Sequence, residues 1–167
     1  MKIQITLGDI TQQDTIAIVN AANRSLLGGG GVDGAIHRAA GPLLLAYTRT
    51  LNGCEIGEAK ISPGFNLKAK YVIHTVGPIW RGGTSGEDEL LANCYKNSLK
   101  LAMENGIKSI SFPCISTGIY GYPPDKACVV AIREAVEFLK TDTVIEQVLF
   151  VCFDKVTFDL YMKHLQH

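Results

Sequence analysis

Short runs of apolar and β-branched residues alternate along this chain with longer stretches whose apolar positions recur every three or four residues. The short runs fall at residues 2–7, 16–20, 59–62, 71–76, 109–114 and 147–152. Several lack a polar alternation, the pattern of strands covered on both faces of a largely parallel sheet. In residues 87–105 the positions Leu91, Tyr95, Leu99, Ala102 and Met103 form one stripe, and Asn105-Gly106 supplies a C-terminal stop. In residues 124–140 the stripe is Ala127, Val130, Ala131, Ala135, Phe138 and Leu139, behind prolines that a helix start tolerates. Residues 154–166 read as a further helix, and Gly34-Ala35-Ile36-His37-Arg38-Ala39-Ala40 as the start of another. Alternating strands and helices predict an α/β protein, a three-layer α/β/α sandwich around a central mixed, largely parallel sheet. With no repeat, low-complexity stretch or linker, residues 1–167 are expected to form one domain.

Composition narrows the partners. Sixteen Lys and Arg balance sixteen Asp and Glu, so no overall positive field would hold nucleic acid non-specifically. The five cysteines are scattered and form no Cys-x-x-Cys pair, which favours buried free thiols over a disulfide framework or a zinc site. No signal-peptide pattern and no bilayer-length apolar run is present. The expectation is a soluble, cytoplasmic protein with no membrane partner.

The chemistry gathers in the loops. Gly28-Gly29-Gly30-Gly31-Val32-Asp33 offers backbone N–H groups with no side chain in the way, just before a helix. Such N–H groups and a helix N-terminus together favour an anion, typically a phosphate. This is neither a P-loop, since no Gly-Lys-Ser/Thr follows, nor a spaced dinucleotide fingerprint. In an open α/β sheet, ligands bind beyond the carboxyl ends of the strands. Four predicted strands lead there into unusual sequence: Gly8-Asp9-Ile10-Thr11, Asn20-Ala21-Ala22-Asn23 with the glycine run, Ile115-Ser116-Thr117-Gly118-Ile119-Tyr120-Gly121-Tyr122-Pro123, and Phe153-Asp154.

With these loops in order, the sequence resembles the macrodomain family, the ADP-ribose-binding fold, and within it the MacroD-type branch that hydrolyses ADP-ribose esters. The resemblance spans essentially the whole chain. It rests on Gly8–Thr11, on Ile18-Val19-Asn20-Ala21-Ala22-Asn23, on the glycine run through His37, on His74-Thr75-Val76-Gly77-Pro78, and on the segment from Ile115 to Pro123. It departs from the family at Ile16, where related sequences usually carry an aspartate.

The resemblance implies a role for each position. Asp9 would accept from the adenine amine, with the Ile10 N–H beside it; the alternative for Asp9 is a plain N-terminal cap. Phe153 would stack on adenine, or else belong to the core. The diphosphate would lie between Gly31 and Val32 on one side and Ser116, Thr117, Gly118, Ile119 and Tyr120 on the other. Asn23 would hydrogen-bond the distal ribose, and Tyr120 would cover it. Asn20, grouped with the binding residues, would tie the loop together from behind. Asp33 would position or activate the attacking water, its alternative being a helix N-cap. His37, one turn on, would orient it or serve as a structural histidine; His74 reads as structural. The segment 81–86 looks like a flexible loop near the site.

The implied reaction is hydrolysis of an ester at the distal ribose by a positioned water, on O-acetyl-ADP-ribose or on mono-ADP-ribosylated acidic side chains of proteins. It calls for no cofactor and no metal. The competing reading is a non-catalytic ADP-ribose reader, which would need the adenine and phosphate contacts but not the Asn23/Asp33 pair.

Overall fold

In the computed structural model, which describes residues 2–141 and 144–166, each apolar run becomes a strand. These are β1 (Ile3–Leu7), β2 (Ala17–Ala21), β3 (Ala59–Pro63), β4 (Tyr71–Thr75), β5 (Ser109–Phe112) and β6 (Gln147–Cys152). The helices are α1 (Gly31–Ala40), α2 (Pro42–Thr48), α3 (Glu87–Glu104), α4 (Pro124–Thr141) and α5 (Lys155–Leu165). The strands form one sheet in the order β1-β6-β5-β2-β4-β3. Every neighbouring pair is parallel except β3 against β4, so the sheet is mixed and largely parallel.

Alternate residues of a strand feed opposite faces, and β2 displays this directly. Ala17 and Val19 join a core with Leu91, Tyr95 and Leu99 of α3, Ala131 and Ala135 of α4, and Tyr161 of α5. Ile18 joins a second core with Ile36 of α1, Leu44 of α2, and Leu149 and Val151 of β6. Because both faces are covered, β2 carries no polar alternation before Asn20, which is why it reads as a continuous apolar run.

Boundaries differ from the sequence pattern where backbone chemistry intervenes. The ladder of β5 stops at Phe112 because Pro113 has no N–H to donate. Helix α1 begins at Gly31, three residues earlier than the side-chain pattern indicates, because its first turn lies inside the glycine run. Helix α2 has only seven residues behind Gly41-Pro42, too few to show a stripe. The start of β2, where Ile16 replaces an acid, is tied by hydroxyls instead. Ile16 N–H donates to Ser109 Oγ at 2.8 Å, and Thr15 Oγ1 meets Ser111 Oγ at 2.7 Å. Among the described residues no helix is long and apolar enough to cross a membrane.

Candidate active site

Because β1, β6, β5 and β2 are parallel neighbours, their carboxyl ends share one sheet edge and present their loops side by side. Gly8 N–H donates to the Cys152 carbonyl at 2.8 Å, which sets the turn after β1 beside Phe153. Asp9 caps a short 3-10 turn (Ile10–Gln12), its Oδ1 accepting from Thr11 N–H at 2.9 Å and Thr11 Oγ1 at 2.7 Å. Its Oδ2 accepts no hydrogen bond among the described residues, and the side chain is exposed. Capping therefore occupies one oxygen and leaves the other outward. Ile10 is buried and anchors the turn, while Phe153 is 75% exposed, so the phenyl ring is no part of the core.

Two loops, which follow the neighbouring strands β2 and β5, carry unused N–H groups. Gly30 caps α1 without any side-chain bond, and Gly31 has φ +55°. The N–H groups of Gly31, Val32 and Asp33 thus have no intrahelical partner. In the second loop, Ser116 has φ +68°, and the loop closes through Tyr122 N–H to the Ser116 carbonyl (2.9 Å) and Gly121 N–H to the Gly118 carbonyl (3.0 Å). Among the described residues, none of the N–H groups of residues 116–120 meets an acceptor, and the buried Ser116 Oγ is also without a partner. Ile119 is 97% exposed at the loop tip. Gly77 lies directly beneath: a Cβ there would run into Ser116 Oγ and come within 2.7 Å of Ile115 Cγ2.

From β2 a buried polar line runs across β4 to β3. His74 on β4 is 1% exposed; its Nε2 meets Ser62 Oγ at 2.8 Å and its Nδ1 meets Asn20 Nδ2 at 3.1 Å. Burial, with the nearby His37 adding to it, pushes the His74 pKa down to about 3, so the ring is neutral. Asn20 can only donate to Nδ1, which places the His74 proton on Nε2, toward Ser62. The second N–H of Asn20 goes to Asp33 Oδ1 at 2.9 Å. Asn20 is 0% exposed, and its side chain meets Asp33 and His74, as a residue that ties the loop from behind would.

Asp33 is not a cap, since Gly30 occupies that position; it sits in the first turn of α1, 4% exposed. His37 Nε2 lies 3.4 Å from its Oδ1, and Oδ2 is buried without a partner. A Cβ on Gly29 would stand 3.2 Å from both Asp33 Oδ2 and Asn23 Nδ2, so acid and amide flank the same glycine. Asn23 in turn donates to the Gly28 carbonyl at 2.9 Å and accepts from Ser25 Oγ at 2.8 Å. Burial raises the Asp33 pKa above the ordinary 3.8, opposed by the Asn20 hydrogen bond and His37. A raised acid pKa means the folded state binds the proton more tightly, so stability falls as pH rises through the folded pKa. Asp33→Asn should therefore melt at a higher temperature than the native chain at pH 7, with the difference shrinking as pH falls toward the usual carboxylate range. Thermal melts across pH read this directly.

The family model described as Macro domain matches residues 19–131. The chain belongs to the macrodomain family. The macro domain-containing protein CT2219 of Chlorobaculum tepidum is 60% identical over 157 residues, covering 94% of this chain and 91% of that protein. ADP-ribose glycohydrolase MACROD2 of Homo sapiens is 57% identical over 166 residues, covering 98% of this chain but only 39% of that protein. Among solved structures, the Trypanosoma brucei macrodomain in complex with ADP-ribose has a TM-score of 0.92 and 45% identity, covering 98% of this chain and 68% of that one.

The macrodomain's segment 81–86 departs from its flexible sequence pattern. The buried Glu87 cinches it: Oε2 accepts from the N–H groups of Arg81 and Gly83, each at 2.8 Å, and Oε1 from Ser85 N–H at 2.6 Å. Those backbone bonds hold the Glu87 pKa down to about 2. A carboxylate with a depressed pKa contributes above its ordinary 4.5 and loses that contribution only as pH falls toward about 2. Just before the cinch, Trp80 donates its N–H to the Tyr120 carbonyl at 2.8 Å and lies 4.6 Å from the Tyr122 ring. Tyr122 hydrogen-bonds Asp88 through its hydroxyl. The Tyr120 loop is thereby tied to the start of α3. Hydrogen exchange should find the Arg81, Gly83 and Ser85 amides protected at pH 4 and exposed in Glu87→Ala. The sequence pattern singles out neither Glu87 nor Trp80; the one signal it carries is an acid directly after a glycine-rich loop at a helix start.

Proposed function

We propose that this macrodomain binds ADP-ribose along the sheet edge and hydrolyses esters at its distal ribose. Adenine would sit between the free oxygen of Asp9, the Ile10 N–H and the face of Phe153. The diphosphate would take the N–H groups of Gly31 and Val32 and those of residues 116–120, and the distal ribose would reach Asn23 under Tyr120. The observation that carries the catalytic part is the unpartnered, buried Oδ2 of Asp33, set against the same glycine as the Asn23 amide. A water held there gives a proton to Asp33 while its oxygen bonds to the ester carbonyl carbon. The bond from that carbon to the ribose oxygen then breaks, and the ribose oxygen takes the proton from Asp33, so that the carboxylic acid and the ribose hydroxyl separate as products. Most of the acceleration comes from placement, and the carboxylate adds about 10²–10⁴-fold. His37 and Asn20 hold the carboxylate in place.

The substrates of this reading are O-acetyl-ADP-ribose, making the protein a deacetylase, and proteins mono-ADP-ribosylated on Asp or Glu. The neighbouring structure with ADP-ribose and the relative's glycohydrolase name support it. The reading takes residues 1–167 as a single macrodomain. It places the chain in the cytoplasm, to which four buried free thiols are suited.

The test is a peptide carrying one glutamate-linked ADP-ribose, followed by mass spectrometry. Release of unmodified peptide and ADP-ribose by the native chain supports the hydrolase; saturable binding without release makes the protein a reader. In the same preparation Phe153→Ala should weaken ADP-ribose binding by about 1–3 kcal/mol, roughly 5–150-fold, in calorimetry.

A further inference from the structure

Beside the loop that carries Asn23 lies an open basin of about 500 Å³. Its walls include Arg24, Ser25, Leu27, Arg49, Asn52 and Glu55. We propose that this basin receives the polypeptide flanking the ADP-ribosyl ester, with an acidic side chain of that polypeptide set between Arg24 and Arg49. The inference rests on the hydrolase reading above and names the kind of protein substrate it favours.

Three observations carry it. The basin adjoins the site: its lining residues Arg24 and Ser25 directly follow Asn23 in the chain, and Ser25 donates through Oγ to Asn23 Oδ1 at 2.8 Å. In this reading a polypeptide esterified to a ribose held at Asn23 passes over this loop and meets the basin. The basin is also preformed. Asn52 (φ +61°) and Gly53 (φ +78°) turn the chain so that Cys54 N–H reaches the Arg24 carbonyl at 2.9 Å. A Cβ on Gly53 would stand 2.8 Å from that carbonyl oxygen, so only glycine permits the approach. Beneath it, Ala22, Leu26, Cys54 and Val76 form a small core of their own.

The third observation is charge. The charged residues lining the basin are two arginines, Arg24 and Arg49, and one glutamate, Glu55. Arg24 pairs with Glu55 at 3.0 Å, but both side chains are about two-thirds exposed, at 64% and 69%. Such a pair contributes little and gives way readily. Arg49 is exposed, and its guanidinium has no partner among the described residues. An incoming carboxylate meets one free arginine and one weakly held, each able to bind it bidentately. Leu27, half-exposed at the rim, offers an apolar rest for the chain beside it.

The experiment compares two peptides that carry the same glutamate-linked ADP-ribose, one flanked by acidic residues and one by uncharged residues. O-acetyl-ADP-ribose, which has no flanks, is the third substrate. The native chain should favour the acidic peptide by about tenfold in kcat/KM, chiefly through KM, and lose that preference at high salt. The Arg24→Gln/Arg49→Gln double variant should treat both peptides alike and cleave O-acetyl-ADP-ribose at the native rate. Equal treatment of the two peptides by the native chain, or an equal loss on all three substrates in the variant, overturns the proposal. Should the native chain cleave no ester, the hydrolase reading falls, and fluorescence anisotropy then decides the basin separately. An arginine-dependent, roughly tenfold tighter Kd for the acidic peptide upholds it, and equal Kd values end it.

Discussion

Replacing Asp33 with alanine is expected to lower kcat for ester hydrolysis by about 10²–10⁴-fold while leaving the Kd for ADP-ribose within about threefold. The separation follows from where the side chain sits. Its Oδ1 is taken by Asn20 and faces His37, and its free Oδ2 lies against Gly29 beside Asn23. The diphosphate, in the proposed mode, is held by backbone N–H groups that alanine keeps. Only the group that takes the water's proton disappears. Because burial raises the Asp33 pKa, the native kcat should also fall on acidification at a pH above the usual carboxylate range. The residual rate of the variant should lack that limb. Stopped time courses beside calorimetry separate the two quantities; equal losses in kcat and affinity would mean that Asp33 only shapes the loop.

Gly77→Ala should do the converse and remove binding. The added methyl runs into Ser116 Oγ and Ile115, under a residue already in the left-handed region. Since β4, which ends two residues before Gly77, is paired on both sides, by β2 and by β3, the loop must move. Overpacking of this kind costs about 1–3 kcal/mol. Losing two N–H contacts to a charged phosphate adds about 3 kcal/mol or more. ADP-ribose affinity is therefore expected to fall by at least ~100-fold. The Phe153 variant loses only the adenine stack, so the two defects differ in size. A native-like Kd in a folded Gly77→Ala variant would remove the 116–120 loop from the phosphate site.

The sequence pattern reveals all six strands to within a residue or two and the three long helices, because both kinds of element repeat a buried face. The site's loops stand out for another reason: a run of glycines with Asn23 and Asp33 fits no apolar period, whereas Phe153 reads equally well as core until its exposure decides. Three things stayed hidden. The true start of α1 is invisible because glycines carry no side-chain period. The depth of Asn20 and its line through His74 to Ser62 depends on β2, β4 and β3 lying in register, a long-range pairing that local pattern does not encode. The Glu87 cinch uses backbone N–H groups, which every residue has, so the composition of residues 81–86 suggests freedom where the carboxylate imposes order.

The most direct measurement is a time course of O-acetyl-ADP-ribose with native protein and Asp33→Ala in H₂¹⁸O, with ADP-ribose binding measured on both. The account predicts that the native chain releases ADP-ribose and acetate, with one ¹⁸O from the water in a product, while the variant binds as well and stalls. Tight native binding with no release, or release that persists undiminished without Asp33, would contradict it.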